Sequence, residues 1–173
     1  MSVEDENKAV VERFWGEMFN GKNLEVADEL FTYDYVHHIP SLTSDEAGSD
    51  AIRTLLTIIF RICPNIEATV EGWVAEGEKV VTSWTARGNP ADEMRDVDSD
   101  DDEVKVSGVN IYSVSGDQIR EDWWHLDARV FDESQTSIRE EYREYLLKDI
   151  ARDAESVALF GGICHIMRGC YRC

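Results

Sequence analysis

A chain of 173 residues is long enough for one domain with a proper core, and its formal net charge of −19 at pH 7 narrows the partners it can take. Only 17 Lys and Arg stand against 36 Asp and Glu, which speaks against nucleic acid and against anionic membrane surfaces. No run approaches the roughly 18 uninterrupted apolar residues of a membrane span, and the acidic start Met1-Ser2-Val3-Glu4-Asp5-Glu6 lacks the apolar region of a signal peptide, so a cytoplasmic location is expected.

In chain order, Val10, Val11, Phe14, Trp15, Met18 and Phe19 recur at helical spacing and predict a first helix that stops at Asn20-Gly21. Leu24, Ala27, Leu30 and Phe31 predict a short second helix, and Tyr33 to Ile39 an extended piece ended by Pro40. After a polar loop, Ile52, Leu55, Leu56, Ile59 and Phe60 mark a third helix closed by Pro64. From Ile66 the period changes to two. Strands are expected over Ile66 to Glu76, Lys79 to Ala86, Val104 to Val114 and Gln118 to Val130, joined by turns at Glu76-Gly77-Glu78 and Ser115-Gly116-Asp117 and by an acidic loop from Arg87 to Glu103. Ser137-Ile138-Arg139-Glu140 has the form of a capping box, so a last helix should run to about Leu159, where Gly161-Gly162 stops it.

Helices followed by a meander of long strands give an α+β fold: a curved antiparallel sheet wrapped by N-terminal helices, forming a conical cavity, plus a C-terminal helix. The expected division is residues 1–131 for the cone domain, 132–160 for a helical extension and 161–173 for a Cys-rich tail. Trp84, Asn110, Tyr112, Trp123, His125 and Asp127 come from three successive strands and are candidates to face the cavity. Alternation along the last strand puts Trp123, His125 and Asp127 on one face and Asp122, Trp124 and Leu126 on the other. The first set joins an aromatic wall, an imidazole and a carboxylate, and is taken as the inward one. The second is then packing and solvent. His37 and His38 also point to opposite faces, so at most one of them enters the cavity.

Several pieces in fixed order resemble a known family. They are Phe19-Asn20-Gly21-Lys22-Asn23, Asp34-Tyr35-Val36-His37-His38, Cys63-Pro64-Asn65-Ile66, Val74-Ala75-Glu76-Gly77-Glu78-Lys79-Val80-Val81, Ser107-Gly108-Val109-Asn110-Ile111-Tyr112, and Gly116-Asp117-Gln118-Ile119-Arg120-Glu121-Asp122-Trp123 with Asp127 after it. Together they resemble the SnoaL-like polyketide cyclases of the nuclear-transport-factor-2-like superfamily, over Asn7 to about Phe131. The resemblance implies a cofactor-independent cyclase or isomerase acting on a small hydrophobic carbonyl compound, and a homodimer paired through the exposed sheet face. It implies Asp127 as acid/base and His38 as the histidine that enters the site. The chain departs from the family at Thr85-Ala86-Arg87-Gly88, where members often carry Thr-His-x-Gly.

The expected catalytic residues are therefore Asp127, His38 and His125, with Trp84, Asn110, Tyr112 and Trp123 binding the substrate. Asp127 acts as a base if its apolar surroundings raise its pKa; otherwise it pairs with an Arg such as Arg129 or caps a turn. No metal is expected, because adjacent histidines on a strand do not readily share one ion, and the resemblance implies no cofactor. A non-catalytic ligand-binding domain on the same fold is the alternative. The tail residues Cys164, His165, Cys170 and Cys173 leave three uses open: a soft-metal or redox site, a peptide carried by the preceding domain, or a plain extension.

Few lysines and many carboxylates are also what a protein folded in concentrated salt carries, the alternative being an acidic protein of ordinary surroundings. On the first reading the thermal midpoint rises when KCl goes from near zero to molar. A midpoint that falls over that range, followed by circular dichroism, overturns it.

Overall fold

The computed structural model describes residues 2–38, 46–92 and 103–126. The expected C-terminal helix and the Cys-rich tail lie outside these residues, as does Asp127. Among the described residues no helix is long and apolar enough to cross a membrane.

Helix α1, Val3–Arg13, opens on a capping box: Ser2 Oγ accepts from the Asp5 N–H, and the Asp5 carboxylate accepts from the Ser2 N–H. The chain continues as a π-helix over Phe14–Asn20, so one expected helix has two geometries. Asn20 fixes its end against the sheet, its side chain donating to Ala68 O at 2.9 Å and accepting from Ala68 N at 2.8 Å. The expected second helix is a 3-10 turn, Leu24–Val26, running into α2, Ala27–Leu30. Phe31 has already left it for strand β1, Phe31–His38. The two-residue β2, Glu46–Ala47, and helix α3, Ser49–Ile62, follow. The meander is β3, Glu67–Glu76; β4, Lys79–Gly88; β5, Val104–Ser115; and β6, Gln118–Leu126. Gly77 and Gly116 turn its two tight hairpins with φ of 55° and 67°, a region open to glycine without steric cost.

The six strands form one sheet in the order β2-β1-β6-β5-β4-β3. The α+β expectation holds, with one change: β1 runs parallel to β6, so the sheet is mixed rather than wholly antiparallel. The helices cover one face, and the core collects there around Phe14, Trp15, Met18, Phe19, Ile52 and Leu56 against Phe31, Tyr35, Val80, Trp84, Tyr112 and Trp124.

A β-bulge sets which residues of β6 reach this core. Ser113 pairs with Glu121 but Val114 pairs with Ile119, so Arg120 is an extra residue on the β6 side. Ile119 and Asp122 therefore both point inward although three residues apart, and both are fully buried. Beyond the bulge the inward set is Asp122, Trp124 and Leu126. Trp123 is half-buried and His125 exposed on the other face. The sequence expectation had these two sets interchanged, and the corrected parity decides the site.

Candidate functional site

Parallel pairing of β1 with β6 sets His37 beside Asp122. Both side chains are sealed, 1% and 0% exposed. His37 Nδ1 lies 2.5 Å from Asp122 Oδ1, and Trp124 Nε1–H donates to Asp122 Oδ2 at 2.8 Å. Tyr35, two residues before His37 and on the same face, places its hydroxyl 3.1 Å from the same Nδ1. An ionised carboxylate only accepts, so with Asp122 charged the proton between the pair sits on Nδ1. Nε2 is then a lone pair, and it is buried without a hydrogen-bond partner. Burial, followed by the charge of Asp122 and a hydrogen bond to it, holds the Tyr35 phenol well above its ordinary pKa.

A second polar chain crosses the same face. Trp84 Nε1–H donates to Asn110 Oδ1 at 2.9 Å, and Asn110 Nδ2–H donates to Tyr112 Oη at 2.9 Å. Trp84 can only donate, which fixes the Asn110 amide and makes Tyr112 the acceptor. Burial and the Asp122 charge push the Tyr112 phenol up, partly opposed by the Asn110 hydrogen bond. Thr82 Oγ1 and Trp15 Nε1 are buried without a hydrogen bond. The walls are aromatic: Trp124 meets the His37 ring edge-on at 5.4 Å, and Trp84 and Trp15 lie 6.1 and 6.4 Å from Trp124. Gly108 makes room for Trp84, since a Cβ there would stand 2.9 Å from the indole and 2.7 Å from His125 O.

The expected site residues divide accordingly. Trp84, Asn110 and Tyr112 are on the inner face, packed to at most 4% exposure rather than lining an open cone. Trp123, His125 and His38 are on the outer face, a correction that follows from the β6 bulge and the His37 register. His38 stacks on Trp123 at 4.8 Å with the rings 6° from parallel, its Nε2 3.2 Å from Glu121 Oε1, and Lys79 Nζ sits 4.4 Å from the Trp123 ring. A cleft of about 510 Å³ also opens on the outer face, with Glu67, Glu71, Arg87 and Lys105 among its lining. Among the described residues no three His, Cys, Asp or Glu side chains converge as metal ligands.

His37, Asp122, Tyr35 and Trp124 were not expected at the site. One signal was available: of the two β6 sets, Trp124 and Leu126 are more apolar than His125 and Asp127, and the more apolar set faces a core.

The chain matches the SnoaL-like polyketide cyclase family over residues 9–130. Its fold is like that of a Jannaschia sp. CCS1 protein assigned to the SnoaL-like polyketide cyclases, at 20% identity and a TM-score of 0.65, covering 80% of this chain and 94% of that one. IdmH of Streptomyces antibioticus, a candidate polyketide cyclase, is 22% identical with a TM-score of 0.58, over 70% of this chain and 91% of its own. An LEH-like epoxide hydrolase of M. tuberculosis is 17% identical with a TM-score of 0.58, over 73% and 86%. At these identities the likeness speaks for the fold alone. No curated protein matches the sequence.

The buried phenols carry a pH consequence. The fold holds the protons of Tyr35 and Tyr112 more tightly than the unfolded chain, which releases them near the ordinary value of about 10. Burial likewise pushes the Cys63 thiol up to about 11. Above pH 9 to 10 the unfolded state binds fewer protons, so stability falls as pH rises. The denaturation midpoint is expected to drop through that window, with part of the phenolate absorbance appearing only as the fold opens. Ionisation of all 6 tyrosines before any loss of far-ultraviolet dichroism would contradict this.

Proposed function

The chain belongs to the SnoaL-like polyketide cyclase family, and from that premise we propose a cyclase- or isomerase-type enzyme that moves a proton on a small hydrophobic carbonyl compound without a cofactor. One observation carries this: a buried imidazole backed by a carboxylate, with an unpartnered Nε2 among aromatic walls. Nε2 takes the C–H proton next to a carbonyl, and the imidazolium so formed is balanced by Asp122. The enolate carbon attacks a second carbonyl of the same molecule, a C–C bond closes the ring, and the new alkoxide recovers the proton from Nε2. Atoms and charge balance without a further reactant. Asp127, expected as acid/base from the resemblance, keeps that role as a proposal.

The outer-face cleft of about 510 Å³ is the observation that favours the alternative, a ligand-binding domain without catalysis. Hydrogen–deuterium exchange at the α-carbon of aryl alkyl ketones, followed by NMR, separates the two. On the enzyme reading the protein accelerates exchange, and His37→Asn lowers kcat/KM by about 10²–10³, whereas His38→Ala and His125→Ala stay within about threefold, as outer-face changes do. No acceleration across the ketones, or an equal loss in His125→Ala, sinks the His37 mechanism.

A homodimer through the outer sheet face is part of the same proposal. Val74, Val81, Ile111 and Trp123 lie in one cross-strand row, with Val74 64% exposed. Sedimentation should give twice the chain mass for the wild type and a monomer for Ile111→Glu. A wild-type monomer at micromolar concentration rules the dimer out.

A further inference from the structure

We infer that Tyr35 and Trp124 are positioning residues: they keep Asp122 ionised and so hold His37 in the tautomer whose Nε2 lone pair faces the interior. This rests on the reading of His37 as the proton acceptor and adds what sets its state.

Asp122 is fully buried, and no Lys or Arg is among its hydrogen-bond or ion-pair partners in the described residues. A carboxylate in such a place takes up a proton unless donors hold its charge. Trp124 Nε1–H serves Oδ2 at 2.8 Å and His37 Nδ1 serves Oδ1. Tyr35 is the third donor. Its hydroxyl lies 3.1 Å from Nδ1, but Nδ1 already carries a hydrogen and has no lone pair to offer. With that hydrogen on Nδ1, the phenol proton is assigned to the carboxylate paired with the same ring nitrogen. Removing a donor makes the other distribution of the same proton more favourable: a protonated Asp122 donates to a bare Nδ1, and Nε2 carries the hydrogen. His37 in that form has no base to present. The β1–β6 register builds the arrangement, since Tyr35 and His37 alternate onto the inner face of β1 as Asp122 and Trp124 do on β6.

Long-range ¹H–¹⁵N spectra of the ¹⁵N-labelled full chain read the tautomer directly. In the wild type the neutral His37 ring is expected with its proton on Nδ1. Tyr35→Phe should raise the Nε2–H fraction by about tenfold, because a hydrogen bond to a charged group is worth at least that factor. In the ketone exchange assay kcat should fall by a similar factor with KM unchanged. Trp124→Phe, which keeps an aromatic ring in the core, should move the tautomer the same way. A wild-type ring protonated on Nε2 overturns the inference, and that measurement needs no variant to fold. So does a tautomer ratio that neither substitution changes. If the ratio shifts with Tyr35→Phe while His37→Asn leaves exchange untouched, the positioning roles stand and the catalytic reading falls.

Discussion

The site is organised by one buried carboxylate. Taking an ion out of water costs several kcal/mol even after the protein relaxes, and each hydrogen bond to a charged group returns about 1.5–3 kcal/mol. One donor is too few for Asp122; His37 and Trp124 together approach the right size. Those donors come from two strands, which ties the carboxylate to the one parallel seam of the sheet. There the ladder is interrupted, with register partners at Phe31 and then only from Val36 to His38. The Tyr35, His37, Asp122 and Trp124 contacts span that seam where the backbone ladder is thinnest. The same side-chain network thus also fixes how β1 docks on β6.

Much of the fold was legible from periodicity. The helical repeat through Phe19, the stop at Asn20-Gly21, and the two hairpins at Gly77 and Gly116 all rest on local chemistry and stand where expected. The parallel docking of β1 was not legible, because nothing local to Tyr35-Val36-His37 states which strand it will meet. The site was misread for a related reason. Alternation gives two faces but not which one is inner, and the extra residue at Arg120 breaks the parity that Ile119 would otherwise set for Trp123 and His125. Trp84, Asn110 and Tyr112 share one face, as alternation predicts, because β4 and β5 pair without a shift between Lys79 and Gly88.

The inner face is polarised in a consistent direction. Both indoles that make hydrogen bonds there, Trp84 and Trp124, are donors to a side chain that must then accept. In one chain this orients an amide toward a phenol; in the other it supports a carboxylate that orients an imidazole. Tryptophan serves twice, as wall and as fixed donor, and no hydroxyl rotor could set the direction so firmly. The atoms left over, His37 Nε2, Thr82 Oγ1 and Trp15 Nε1, are the ones such a network does not serve. Of these only Nε2 belongs to a ring paired with a carboxylate, which sets it apart from Thr82 and Trp15.

The same fold occurs in proteins assigned to cyclisation and in an epoxide hydrolase, so shape sets no reaction and the protonation state of the inner groups must. Here that state is insulated from the rest of the molecule. Exposed carboxylates repel one another at the surface, where salt screens them within a few ångströms at molar concentration. Asp122 is beyond that screening, since ions in solution do not enter a sealed core. Its hydrogen-bond partners are His37 and Trp124, with the Tyr35 hydroxyl beside His37 Nδ1. Salt acts on how much of the chain is folded, and the donors around Asp122 act on what the folded chain does. A protein with so large a surface charge keeps a defined proton inside by separating those two dependences.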